Sequence, residues 1–448
     1  MFLSLFWKEC RQLLRSITFY LYLVILVLFY FSQLSTFTPL VKPQPGMKSY
    51  GADYAVDKKD IMDGTLGKLA YCFYTNSYTA YPMGFYKSVK LDEDEAARVA
   101  EIIEKDTGMD KNEITQFMQK YFNAEADVNE GPEVFTENYG QDNYDMESYD
   151  PENFDDESYE AQPSDDFERR MQFWPDIPAV EGLTYDEFEK QMKEIDGLIG
   201  GGSDFAPSRL YMNAEKELTF EDLQKEYEDT LYKDKISNAY AREFCDYLGI
   251  MLAILPVFLS ATRALRDRRA KAAEVIYARK VSSAAVILSR YLATLLFALL
   301  PVIVLGAMVT VQCIYYGRGL GVDVDAFAFL KHIFGWLMPT AMTALSVGFF
   351  FTELTDSPIA VLVQGIWWMA SNFMAFGKGT LEGSFGLNLI PRWNTCGKYE
   401  KFTEQLPDLI TNRIFYAAIA LLLLAGTIIV YELKRKGKWE VPWKRASK

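Results

Sequence analysis

A long acidic block separates two groups of strongly apolar segments, and this arrangement constrains the fold of the 448-residue chain more than any other feature. Residues 43–240 contain 46 acidic and 19 basic side chains, a net charge of −27, whereas the whole chain carries −15, so the remaining residues carry +12. Short cytoplasmic segments of membrane proteins collect Lys and Arg, and long loops cross largely regardless of charge. The charge distribution therefore predicts that the acidic block, residues 36–243, is an extracellular domain.

Six apolar segments are long enough to cross a bilayer, which takes about 20 residues in a helix, with a range of about 17 to 25. The predicted spans cover residues 17–35, 244–262, 291–314, 333–351, 359–376 and 414–431. The fold class that follows is an all-α polytopic membrane protein. Its extracellular domain is a mixed, mainly helical insertion between the first two spans.

Three basic clusters determine the predicted sidedness: residues 1–16, residues 263–290 and the tail 432–448. Two spans separate the first cluster from the second, and four separate the second from the third, so all three share the cytoplasmic face. We therefore expect a multi-pass protein of the plasma membrane with both termini in the cytoplasm. Residues 377–413 would form a second, smaller extracellular segment.

The first sixteen residues have the pattern of an amphipathic helix. Phe6 and Trp7 supply apolar surface, while Lys8, Arg11 and Arg15 supply positive charge. Such a helix would lie along the inner membrane surface, in contact with the bilayer, before the chain turns into the first span. The alternative is a plain basic flank of that span.

The acidic block mixes helical signals with one segment that lacks them. Thr184 and Glu187 have the spacing of a capping box before a helix. Residues 54–86 show a weaker, strand-like pattern. Residues 123–166 are acidic and poor in aliphatic side chains, which predicts a flexible loop. A calcium site is the alternative there, although the glycine and glutamate of an EF-hand are missing.

The sequence lacks the motifs of the common catalytic and metal sites. It contains no phosphate-binding G-x-x-x-x-G-K-[ST] loop and no H-E-x-x-H, G-x-S-x-G or C-x-x-C motif. The single histidine, His332, excludes most zinc sites and histidine-based catalytic schemes. Cys72 and Cys396 would both lie outside, as free thiols or as a disulfide. We expect no enzymatic activity, metal or cofactor in this chain, and its acidic balance argues against nucleic acid as a partner.

The loop after the second span is basic and helix-prone, and it passes directly into the third span. Its features are Glu274, then the short helical stretch 275–280, then Val281-Ser282, and then Arg290-Tyr291 at the start of the span. With the elbow-like N-terminus and six spans, this order resembles the permease subunits of ABC-2-type exporters, in a branch with a large extracellular domain between spans one and two. The resemblance departs at Val281, where that family usually has proline.

Two further stretches contribute to the resemblance. Residues 350–366 look like the short turn between spans four and five of that family, and residues 377–401 look like its short re-entrant helices before span six. The resemblance implies a separate ABC ATPase subunit, which would hold ATP and Mg²⁺. It also implies a homodimer or a heterodimer with a similar permease.

The basic loop would then contact the ATPase. The candidate contact residues are Arg268, Arg269, Lys271, Glu274, Tyr277, Arg279 and Lys280. The alternative is that these charges only satisfy the positive-inside bias. Lys434 and Arg435 in the tail are expected to matter much less to such a contact.

The predicted function is a membrane permease subunit that moves substrate outward with ATP hydrolysed by the partner subunit. A peptide, a lipid, a drug and an ion remain open as substrates. The alternative is a membrane sensor or immunity protein whose extracellular domain binds a peptide or an antibiotic. A membrane enzyme is disfavoured because no catalytic constellation is visible.

Overall fold

The chain forms two compact units in a computed structural model that describes residues 2–34, 39–47, 49–81, 86–128, 174–377, 383 and 385–439. One unit comprises Met1–Gly46 and Thr219–Lys448, and the other comprises Met47–Leu218. We call the first the membrane-helix unit and the second the inserted unit. Most of the predicted flexible loop, residues 129–166, lies outside the described residues.

The chain begins with helix α1 (Phe2–Leu13) and helix α2 (Ile17–Leu34), both in the membrane-helix unit. The basic N-terminus forms helix α1, and α2 covers most of the predicted first span. One face of α1 is buried, through Glu9, Cys10 and Leu13. The burial of the acidic Glu9 was not predicted.

The inserted unit is mainly helical, as predicted, with two small antiparallel sheets among its described residues. Its elements are β1 (Ala52–Tyr54), α3 (Lys58–Thr75), β2 (Tyr78–Ala80), β3 (Lys87–Val89), α4 (Glu93–Thr107), α5 (Lys111–Val128), α6 (Tyr185–Ile199) and β4 (Glu215–Glu217). Strand β1 pairs with β4, and β2 pairs with β3. The strand-like interpretation of residues 54–86 was wrong over most of its length, because α3 occupies the centre of that segment.

Local sequence signals explain the helix ends of this unit. Thr184 and Glu187 form the predicted capping box of α6, and Asp92 with Glu95 forms another at the start of α4. Each box satisfies free backbone N–H groups in the first turn. The apolar faces of these helices meet α3 in one core. Gly67 in α3 allows close packing, since a Cβ there would lie 1.8 Å from the carbonyl oxygen of Pro175.

The boundaries of the inserted unit differ from the predicted domain, residues 36–243. The compact unit ends at Leu218. Helix α7 (Phe220–Glu228) and a π-helical turn (Asp229–Lys233) follow, and helix α8 (Ser237–Leu252) packs within the membrane-helix unit. The acidic composition therefore continues beyond the inserted unit.

The rest of the membrane-helix unit is built from long apolar helices. They are α9 (Leu255–Arg269), α10 (Ala273–Tyr277), α11 (Ser283–Leu320), α12 (Ala328–His332), α13 (Met338–Thr355), α14 (Ile359–Gly377) and α15 (Tyr399–Arg435). Among the described residues, five helical stretches are long and apolar enough to cross a membrane: Ile17–Leu34, Ser237–Arg269, Ser283–Leu320, Ala328–Thr355 and Tyr399–Arg435. The predicted fifth span corresponds to α14, whose described apolar part, Ile359–Phe373, is shorter. These helices confirm an all-α polytopic membrane protein.

Several spans differ from the predicted bounds. The second begins earlier, at Ser237, and is interrupted between α8 and α9, because Pro256 lies in the first turn of α9 and has no N–H to donate. The last helix, α15, is 37 residues long and includes part of the segment predicted as extracellular. Helices α9 and α13 pack closely at Gly348, where a Cβ would lie 1.7 Å from the hydroxyl oxygen of Ser260.

Residues 385–398, before α15, are held without a helix, so the predicted re-entrant helices are absent from this described segment. Buried polar side chains fix the backbone instead. Arg392 donates two hydrogen bonds of 2.8 Å to the carboxylate of Asp246 in α8. Arg413 in α15 donates to the carbonyls of Trp336 at 3.0 Å and Leu389 at 3.3 Å. We call this part of the membrane-helix unit, which lies at the Tyr399 end of α15 and not at its Arg435 end, the opposite end.

All five cysteines are free thiols, so Cys72 and Cys396 form no disulfide. Cys72 is buried in the inserted unit, and removal from water raises the pKa of its thiol to about 12. A thiol in this state is an inert core residue, which matches the simpler of the two predicted alternatives.

Candidate functional site at the basic end

The basic loop predicted to contact the ATPase lies within residues 263–290, and we call it the coupling loop. It lies where helices α9, α11, α13 and α15 end or begin, and we call this region the basic end. Helix α9 ends at Arg269, α10 is a single short helix, and α11 begins at Ser283. The hydroxyl of Ser282 accepts a hydrogen bond from the N–H of Ala285, which caps α11. The loop therefore has a defined backbone between two long helices.

Arg435, near the end of α15, fastens the loop. Its guanidinium donates to the carbonyl oxygens of Tyr277 at 2.9 Å, Arg279 at 2.6 Å and Val281 at 2.5 Å. The ring of Tyr277 packs edge-on against Tyr431 of α15, with ring centroids 5.3 Å apart. Burial raises the pKa of Tyr277 above its usual value. These contacts tie the loop backbone to the last helix.

A second set of contacts joins α9, the α13–α14 turn and α15. Arg268 pairs with Glu353 at 2.6 Å and with Asp356. Lys434 pairs with Asp356 at 2.6 Å and donates to the backbone carbonyl of Glu353. Glu353 is 2% exposed, so its charge requires these cationic partners.

A third set joins the N-terminal helix to the same region. Arg263 in α9 donates two hydrogen bonds of 2.5 Å to the carboxylate of Glu9 in α1. Arg290 in α11 pairs with Asp267 and lies 3.6 Å from Glu9. Bidentate guanidinium–carboxylate pairs are geometrically specific. The N-terminal helix is therefore held to the two helices that flank the coupling loop.

The structure divides the predicted contact residues into two groups. Arg269, Lys271, Glu274, Arg279 and Lys280 are exposed. Arg268 and Tyr277 are instead engaged within the chain, as described above. Among the predicted elbow residues, Trp7, Lys8, Arg11 and Arg15 are exposed and Phe6 is half-buried.

Sequence reasoning missed the residues that hold the loop in place. They are Glu9, Arg263, Asp267, Arg290, Glu353, Asp356, Lys434 and Arg435. The turn containing Glu353 and Asp356 has no basic residue, so its own composition gives no orientation signal. With six predicted spans, however, this turn and the basic loop lie on the same side of the membrane. The carboxylates of Glu353 and Asp356 can therefore pair with cations of that region.

Lys434 and Arg435 also have contacts that the sequence did not indicate. They were expected to be minor tail charges, but both contact the residues around the loop. They are therefore unsuitable as control positions for tests of that loop. Residues 440–448 of the tail lie outside the described part of the chain.

The described residues contain no group of three or more His, Cys, Asp or Glu side chains placed to hold a metal ion. The buried charged side chains of the basic end form ion pairs with one another. The surface of the basic end is ordered and highly charged.

These observations define a multi-pass membrane protein with an ordered, charged loop between two spans. The family model described as "ABC-2 family transporter protein" matches residues 69–393, which is 325 of the 448 residues. The chain therefore belongs to the ABC-2 family of transporter proteins and is a permease-type membrane component of an ABC transporter. No curated protein and no solved structure matches the chain.

Proposed function

We propose that this chain is the permease subunit of an exporter that moves substrate outward with ATP hydrolysed by a separate ATPase subunit. The observation that carries the proposal is the coupling loop. Five exposed charged side chains stand on a backbone that Arg435 holds at three carbonyl groups. A surface that transmits force must be accessible to its partner and stiff relative to the helices behind it.

The proposed contact surface consists of Arg269, Lys271, Glu274, Arg279 and Lys280. Arg268 and Tyr277, included in the sequence prediction, would support this surface from behind rather than touch the partner. The same proposal includes a homodimer or a heterodimer with a similar permease, because a family member of this kind pairs two membrane halves. ATP and Mg²⁺ would bind only in the ATPase.

The proposed orientation places the basic end in the cytoplasm and the inserted unit outside the plasma membrane. Substituted cysteines test it, since every native cysteine is buried or half-buried. A membrane-impermeant maleimide should label Ala97→Cys on intact cells, but Lys280→Cys only after permeabilisation. The reverse pattern would invert the orientation and remove the loop from the ATPase side.

A double charge reversal tests the loop itself. Glu274→Lys with Arg279→Glu preserves net charge, and exposed substitutions usually change stability by no more than about 0.5 kcal/mol. If both residues lie at the interface, ATPase binding should weaken by about 2 kcal/mol or more, roughly thirtyfold. Co-purification with the proposed partner ABC ATPase, followed by measurement of ATP hydrolysis, gives the readout.

A matched control is available at the opposite end. Lys225 and Glu400 form an exposed ion pair at 2.6 Å, so Lys225→Glu with Glu400→Lys also reverses two charges at constant net charge. This control should retain ATPase binding. The purified chain alone should hydrolyse no ATP above background. Full ATPase binding by the loop variant would leave the basic loop as a topology signal only.

The sensor or immunity alternative gives a different result. In that case no ABC ATPase would co-purify with the wild-type chain, and the loop variant would behave like the control. The family assignment favours transport, and no observation on the described residues favours the sensor.

A further inference from the structure

A cationic cavity of about 620 Å³ lies between the N-terminal helix α1 and the last turns of α9. The side chains that line it from α1 and the following turn include Lys8, Arg11 and Arg15. Those from α9 include Arg263, Arg266 and Arg269. Two separate elements therefore contribute basic residues to one partly open cavity, which a basic flank alone does not require.

The charge of this cavity is not neutralised by its own walls. Its lining contains no Asp or Glu. Among the described residues, Lys8, Arg11, Arg15 and Arg269 form no ion pair, and Arg266 donates only to the amide oxygen of Gln12, at 2.5 Å. An anionic ligand would thus meet several cations without displacing a carboxylate.

A buried donor adds a second observation. Arg263 is 6% exposed, and its Nε and Nη2 atoms donate to Glu9. Its Nη1 atom is buried, donates no hydrogen bond to the described residues and forms an ion pair with Asp267 at 3.6 Å. Buried guanidinium N–H groups are normally satisfied. Phosphate oxygens are suitable acceptors, and arginine clusters recognise them well.

The walls also provide apolar surface beside the cations. Leu13 and Leu259 line the cavity and are themselves buried. The side chain of Trp7 on α1 is 66% exposed, as expected for a helix that lies at a membrane surface. A ligand with a phosphate group next to hydrocarbon matches this combination, and basic pockets between membrane helices on the cytoplasmic side bind such head groups.

We propose that the cavity between α1 and α9 binds the phosphate group of an acidic phospholipid. The ligand would bridge the N-terminal helix and the helix that leads into the coupling loop. Lipid composition would thereby influence how firmly α1 is held at the basic end. The shared chemistry is a phosphate anion, which could also come from a soluble phosphate ester, so both sources are tested.

The test uses the full chain, purified alone, in nanodiscs or detergent. Native mass spectrometry would count lipids retained from phosphatidylglycerol and from phosphatidylcholine, which differ in net charge. Wild type should retain phosphatidylglycerol preferentially. Arg11→Gln with Arg15→Gln, and separately Arg266→Gln with Arg269→Gln, should each weaken that retention about tenfold to thirtyfold, at about 1 kcal/mol for each charge removed.

The matched control is Arg279→Gln with Lys280→Gln, which removes the same charge from the exposed coupling loop but outside the cavity. It should retain phosphatidylglycerol like wild type. Adding millimolar inorganic phosphate or glycerol phosphate separates the two sources. Weak competition supports the lipid, whereas complete displacement by the soluble anions would overturn it in favour of a free phosphate ester.

Equal retention of both lipids by wild type would overturn the proposal without any variant, so a folding defect cannot hide the answer. Unchanged retention in both pair variants would do the same. Because no ATPase is present, the result is independent of whether the coupling loop binds one.

Discussion

The two ends of the membrane-helix unit use buried ion pairs in different ways. At the opposite end, Asp246 and Arg392 are 0% and 5% exposed, and their charges are closed within one bidentate pair. At the basic end, Glu9 and Glu353 are also buried with cationic partners, but exposed cations surround them. The pair of Asp246 and Arg392 at the opposite end is therefore structural and leaves neither of its charges exposed. The basic end combines such pairs with an exposed charged surface.

Buried charged residues hold the backbone in place at both ends, whereas the exposed charges of the basic end are available to contact a partner. Asp246 holds the irregular segment 385–398 by accepting hydrogen bonds from Arg392 and from the N–H of Trp393. Arg435 holds the coupling loop through backbone carbonyls, which leaves the loop side chains free to meet a partner. Changes at the first end should alter stability, and changes on the exposed part of the second should alter binding.

The largest expected effect is at Asp246. Asp246→Ala would leave Arg392 charged, buried and without its partner, a change that costs about 3–5 kcal/mol. The variant should show a markedly lower midpoint of thermal unfolding in detergent. Asp246→Leu combined with Arg392→Met should recover much of the loss, because an apolar pair carries no buried charge. Wild-type stability in Asp246→Ala would show that this pair is not structural.

A smaller effect is expected at Glu9, where loss of the carboxylate frees a terminal helix rather than unfolding a core. Glu9→Ala removes both hydrogen bonds from Arg263, so α1 should separate more often from α9. Cys10 is 4% exposed and reports this directly. Its rate of alkylation in detergent should rise at least about tenfold, the equivalent of about 1.4 kcal/mol.

The control for this measurement is Glu274→Ala, which removes an exposed carboxylate that has no ion-pair partner among the described residues and lies outside the cavity between α1 and α9. Its alkylation rate should equal that of wild type. An unchanged rate in Glu9→Ala would mean that apolar packing alone holds α1. The basic end would then depend less on its buried ion pair for stability than the opposite end does.

Asp106, a buried carboxylate in the inserted unit with no ion-pair partner among the described residues, sharpens the comparison. Asp106 in the inserted unit is 0% exposed, and burial raises its pKa to about 6. Since the folded state binds this proton more tightly than the unfolded state, its contribution to stability falls as pH rises from about 4 to about 6. Asp106→Asn should therefore be more stable than wild type above pH 6, by about 1–3 kcal/mol, and similar near pH 4.

Thermal unfolding of the full chain at pH 4, 5, 6 and 7.5 measures this dependence. The exposed Lys90→Gln in the same unit is the control, since it leaves the buried carboxyl and its surroundings in place and should keep the wild-type pH profile. A wild-type profile that is flat over this range would show that Asp106 is stabilised by contacts other than a cation.

Much of the fold could be predicted from local sequence. The apolar segments around α2, α11 and α13 are visible because hydrophobic length is a property of consecutive residues. The capping box of Thr184 and Glu187 is visible for the same reason. The helix of residues 58–75 was missed because its tyrosines and threonines favour strands and its two glycines disfavour a helix, whereas burial against the rest of the inserted unit stabilises a helix.

The candidate site was predictable only in part. The exposed charges of the coupling loop follow from its sequence and from the family resemblance. The supporting pairs do not, because Glu9 and Arg263 are 254 positions apart and Arg435 and Tyr277 are 158 positions apart. Such pairs depend on which helices are neighbours. The segment 385–398 shows the same limit, since its conformation is set by Asp246 and Arg413 from distant helices.

The smallest effect is expected for the exposed pair between Lys225 and Glu400, whose side chains are 61% and 51% exposed. Water screens such a pair and its side chains lose rotamer freedom, so exposed ion pairs contribute about 0–1 kcal/mol. Glu400→Ala, which also removes the contact of Glu400 with Lys233 at 3.3 Å, should lower the midpoint of thermal unfolding only slightly at low salt. The difference should vanish at about 1 M salt, where the screening length is about 3 Å. Thermal unfolding at both salt concentrations, with Asp246→Ala in parallel, makes the comparison within one protein. A loss at Glu400 as large as that at Asp246, and insensitive to salt, would mean that burial does not distinguish the two pairs.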